Sequence, residues 1–113
     1  MLLRRALLGL LLLHAAGTHA GTASTDVSIE LQARQGRVVG GVRVLRLSRD
    51  DHVTLRILSD VADKVHVHGY DLHGSVGPDR PLTLRFVAAR TGRFAVELHH
   101  SDLQLGVLEI YPR

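Results

Sequence analysis

Cysteine and tryptophan are absent from this chain of 113 residues, and its only methionine is Met1. Without a thiol there is no disulfide to staple a small fold, no cysteine nucleophile, no thiol redox couple and no thiolate metal site. Aromatic residues amount to two tyrosines and two phenylalanines, so any core must be mostly aliphatic. Lysine is reduced to Lys64 against 13 arginines. That skew reads as genome composition rather than function.

The hydrophobic runs are short as well. Arg4 and Arg5 precede an apolar stretch from Ala6 to Leu13, and Thr18-His19-Ala20 places small residues three and one positions before a cut. This order predicts a secretory signal peptide over residues 1–20. The run falls short of the roughly 20 residues of a spanning helix, although a retained anchor is the other reading of the same stretch. Removal of the signal leaves residues 21–113 as one domain, with no membrane span. That domain carries 12 basic and 11 acidic residues, a net of +1. Such a balance excludes the strong positive field that nucleic-acid binding requires.

The remaining chain alternates. Val27, Ile29 and Leu31 interleave with Ser28, Glu30 and Gln32; Val53, Leu55 and Ile57 with Thr54 and Arg56; Phe94, Val96 and Leu98 with Ala95 and Glu97. Period-two alternation marks half-buried strands. The alternation slips at Val44-Leu45, which predicts a bulge there. Residues 69–81 read as a loop with a short edge strand at 71–76. Valine, leucine and isoleucine supply 28 of residues 21–113, and no helical period is present past residue 20. Seven or eight short strands separated by turn signals predict an all-β sandwich or small barrel. Asp50, Asp51, Asp60 and Asp63 flank turns, where they are expected to bond backbone. Arg43, Arg46, Arg49 and Arg56 interleave with core residues and read as a solvated face.

Histidines stand out against this background. His66 and His68 fall on one face of a strand, about 7 Å apart along it. His100 comes from the end of a later strand and shares parity with Leu98 if that strand stays regular, and His73 lies near the rim. Imidazole suits Cu(II), Zn(II) and Ni(II). The opposing reading is that Val65 and Val67 form the core face, leaving His66 and His68 as ordinary surface residues. No Gly-x-Ser-x-Gly elbow, phosphate-cradling loop or EF-hand pattern is present, so no enzyme is expected.

Several segments occur together in a familiar order. They are Ser59-Asp60, His66-Val67-His68-Gly69-Tyr70, Pro78 to Phe86, Thr91-Gly92-Arg93-Phe94-Ala95-Val96-Glu97 and Leu105-Gly106-Val107-Leu108-Glu109-Ile110. From about Val42 to Arg113 the chain resembles the cupredoxin family, in particular its small exported members. The resemblance implies a Greek-key β-sandwich. It also aligns Leu98 with the copper-ligating cysteine, Leu105 with the axial methionine, His68 or His66 with the first ligand histidine and His100 with the second. A blue-copper site needs that sulfur. What remains implied is weak binding of Cu(II) or another divalent ion through His66, His68 and His100 in a periplasmic module. The alternative is a metal-free structural or protein-interaction module with an unidentified periplasmic partner.

Overall fold

A computed structural model describes residues 24–113. The expected signal segment, 1–20, lies outside the described residues. Among those described, nine strands form and no helix does. They are β1 (Asp26–Arg34), β2 (Arg37–Val38), β3 (Arg43–Ser48), β4 (His52–Ser59), β5 (Asp63–Val67), β6 (Leu72–Val76), β7 (Leu82–Val87), β8 (Gly92–Leu98) and β9 (Leu103–Tyr111).

The strands form two sheets, ordered β2-β1-β4-β7 and β3-β9-β8-β5-β6. The chain passes repeatedly from one sheet to the other. Two neighbouring pairs, β1 with β4 and β3 with β9, are therefore parallel, while the other pairs are antiparallel. Each strand sends alternate side chains into the space between the sheets. In β4, Val53, Leu55 and Ile57 are buried while His52 and Arg56 are exposed. Leu31, Val65, Val67, Val96, Leu98, Leu105 and Leu108 complete the centre. Each such side chain contributes about 1.5–3 kcal/mol through burial, and with no cystine these contacts carry the stability.

The expected bulge at Val44-Leu45 does not form. β3 pairs with β9 in unbroken register from Arg43↔Gly106 to Ser48↔Tyr111. Leu45 and Leu47 point inward, and Val44 is left on the solvent side, 51% exposed. The apparent slip in pattern is an exposed valine on an edge strand. The register shift lies instead in the β8–β9 pair, between Val96 and Glu97.

Three of the four turn aspartates bond backbone as expected. Asp51 accepts from the N–H groups of Ser48 (2.8 Å) and Thr25 (3.3 Å), and its carboxylate also pairs with Arg113. Asp60 accepts from Gln35 N–H at 2.9 Å. Asp63 accepts from Lys64, His100 and Ser101 N–H and from the Ser101 hydroxyl. Asp50 pairs instead with Arg49, at 4.0 Å.

Candidate metal centre

The alternation of β5 decides which side chains can meet. Val65 and Val67 are fully buried, so Lys64 and His66 face outward on the second sheet. In register, His66 lies opposite His73 of β6 and Glu97 of β8. His68 follows the strand end and stays tied to β8, because its N–H donates to Ala95 O at 2.9 Å. The His66 and His68 rings therefore stand side by side, centroids 4.4 Å apart and tilted by 56°. His73 adds a third ring, 6.4 Å from that of His66. Nε2 of His68 lies 3.1 Å from Oε2 of Glu97, and its side chain is half exposed.

Sequence reasoning singled out His66 and His68 as neighbours and placed His73 at the rim. It missed Glu97, although Glu97 shares outward parity with Arg93 and Ala95 on β8. Among the described residues, no group of three or more histidine, cysteine, aspartate or glutamate side chains is arranged to hold a metal ion. What the surface offers is a pair of imidazoles with a third ring and a carboxylate at its edge.

His100 does not join that pair. β8 ends at Leu98, and the chain turns through residues 99–102. His99 N–H donates to Lys64 O at 2.8 Å, and His100 N–H donates to Asp63 Oδ1 at 2.8 Å. His100 thus sits at the start of β5, while His68 follows its end, roughly 16 Å away along the strand. The regular continuation that would have given it inward parity with Leu98 stops at the turn that Asp63 organises. The His100 ring packs on His99, centroids 5.4 Å apart. It borders a groove of about 550 Å³ whose lining mixes Lys64 and Arg80 with Asp63 and Asp79.

Leu98 and Leu105, which the resemblance aligns with the two sulfur ligands, are 2% and 0% exposed. Leu98 lies in register with Val65 and Leu103. Hydrocarbon fills these positions, and no sulfur is available. A blue-copper centre does not fit this residue set.

Part of the His68-Gly69-Tyr70 motif has a different job. Gly69 adopts φ = 80°, and a Cβ there would meet the Phe94 ring, 2.6 Å from Cε1. Tyr70 stacks edge-on against Phe94 at 4.9 Å and lies 5.3 Å from Phe86. Its hydroxyl donates to Arg90 O at 2.8 Å and accepts from Arg90 N–H at 2.9 Å, and Arg90 Nη1 donates back to Gly69 O. The glycine and the aromatic residue lock the β7–β8 connection against the strand end. Gly69→Ala is therefore expected to lose about 2 kcal/mol of stability through strain at positive φ and overpacking against Phe94. Urea unfolding measures this; a loss below ~0.5 kcal/mol contradicts the packing argument.

No protein-family model matches the chain, and no curated protein matches it. Solved structures do. The copper nitrite reductase of Nitrosomonas europaea superposes with a TM-score of 0.64 at 18% identity, over 79% of this chain and 42% of that one. A heme-copper terminal oxidase matches at 0.62 and 23% identity, over 76% and 65%. A copper binding protein solved by NMR in its apo form matches at 0.59 and 10% identity, over 74% and 86%. The chain thus spans less than half of the reductase chain and just under two thirds of the oxidase chain. At these identities the likeness establishes the fold alone, and that fold is the one the sequence motifs implied.

Proposed function

We propose, from the premise that this chain is a cupredoxin-like β-sandwich, that it is an exported copper-handling module that holds Cu(II) loosely on its surface and transfers no electrons through a copper–thiolate centre. One observation carries this reading: the adjacent rings of His66 and His68, with His73 and Glu97 at their edge. His66 and His68 would hold the ion through one imidazole nitrogen each, a donor type suited to Cu(II). The fold's structural neighbours, copper proteins among them, support copper over other ions. The Arg4-Arg5 and Ala6–Leu13 segments support export, and the periplasm is the compartment the reading assigns. Because protons compete for imidazole, binding weakens on acidification.

Isothermal titration of the protein with Cu(II) tests the site. His68→Ala and His66→Ala are each expected to weaken binding about tenfold or more, in line with the loss of one of two principal ligands. His100→Ala is expected to leave it unchanged. The bound form should show only a pale visible spectrum. Equal affinity in the wild type and in both the His66→Ala and His68→Ala variants removes the site.

The burial of Leu98 and Leu105 favours a second reading, a metal-free interaction module of the periplasm built on the same sandwich. Under it, Cu(II) titration gives no heat above that of a histidine-depleted variant.

A further inference from the structure

We propose that the free edge of β3 docks an extended acidic polypeptide segment by strand addition. Among the described residues, β3 ends its sheet and pairs on one side only, with β9. Of the other terminal strands, β2 has two residues, while β6 and β7 pack against each other at the opposite side of the sandwich. An edge strand leaves alternate N–H and C=O groups unpaired, and an extended peptide completes them.

The side chains around this edge select the occupant. Val39, Val42 and Val44 are 51%, 56% and 51% exposed, and Tyr111, in register with Ser48 at the other end of β3, is 49% exposed. On the outer face Val44 continues through Val107 to Ala95. The next row is Arg46, Glu109 and Arg93, in which one carboxylate serves two guanidinium groups. Those arginine side chains remain 78% and 66% exposed, and the Glu109 carboxylate is further occupied by the Tyr111 hydroxyl. Arg43, at the start of β3, spends one guanidinium nitrogen on the Glu30 carbonyl at 3.3 Å. The nearby acid Glu30 is engaged with Arg56 at 3.8 Å, and Asp50 with Arg49. The edge thus carries surplus guanidinium donors suited to bidentate carboxylate recognition. A second copy of this chain is the poorer fit, since β3 carries two arginines and no acidic residue, so pairing two copies brings only like charge to the seam.

This inference does not depend on the histidine pair. The test uses the ¹⁵N-labelled full chain and a blocked peptide of alternating valine and glutamate. Amide shifts are expected over Val42–Ser48, with affinity that falls as salt rises. Arg46→Glu is expected to weaken binding about tenfold. Arg43→Glu, which leaves both guanidinium partners of Glu109 in place, gives a similar loss. Equal binding of a valine–lysine peptide, shifts centred on another strand, or no binding overturns the proposal. So does dimerisation of the protein alone through β3, which assigns the edge to a second copy.

Discussion

Leu98→Ala is expected to lower the free energy of unfolding by about 3–5 kcal/mol, with Leu105→Ala close behind. Both leucines are essentially inaccessible and sit in the layer formed by Val65, Val96 and Leu108. Truncation removes three carbons from each and leaves a void that the two hydrogen-bonded sheets cannot close by small shifts. Measured stabilities of small domains are about 5–15 kcal/mol, so either change consumes a large part of the total. Urea unfolding at neutral pH gives the number. A loss below ~1 kcal/mol would show that these positions tolerate a cavity, and the account of them as core would fail. Copper affinity, measured on the folded fraction, is expected to stay the same in both variants, because the histidine pair lies on the outer face of the sheet.

The second large effect belongs to Asp63. Its carboxylate is buried and gathers Lys64 N–H at 2.7 Å, His100 N–H at 2.8 Å, Ser101 N–H at 3.0 Å and the Ser101 hydroxyl at 2.6 Å. Burial works to raise its pKa. The Ser101 hydroxyl and the N–H groups of His100, Lys64 and Ser101 outweigh that, and the group is held below the usual carboxylate range. Asp63→Ala leaves those donors without their acceptor and is expected to lose about 3 kcal/mol at pH 7. The sign of the pH dependence follows from the lowered value. The charged form is favoured by folding, so its stabilisation is present above the unfolded pKa of about 3.9 and is lost as pH falls through the lower folded value. Asp51, where the Ser48 N–H is the largest influence and outweighs burial, is lowered too and acts in the same direction. The gap in stability between wild type and Asp63→Ala should therefore narrow below about pH 4. A gap that stays constant from pH 7 to pH 3 would remove the charged carboxylate from the explanation.

How much of this was readable beforehand depends on the range of each interaction. The strands around Ile29, Leu55 and Val96 announce themselves because alternation is local and one face is buried. Val44 misled because an exposed valine on an edge strand looks, in sequence, like a slipped register. The histidine pair was legible for the same reason as the strands: His66 and His68 are two residues apart on one strand. His100 was not, because its position depends on a hydrogen bond to Asp63, 37 residues away. Glu97 joined the histidines only once β8 was known to lie beside β5. The Gly69-Tyr70 step was legible as a motif but not as a lock, since its partners, Phe94 and Arg90, lie 20 or more residues further on.

Asp51 holds Thr25 N–H with one oxygen and pairs with Arg113 through the same one, so the first and last parts of the sandwich share a single carboxylate. A unit whose entrance and exit meet at one clamp can be spliced into a host polypeptide as an excursion, with little stretching of either flank. Transplantation between unlike carriers then becomes a question of what borders the clamp rather than of rebuilding the sandwich.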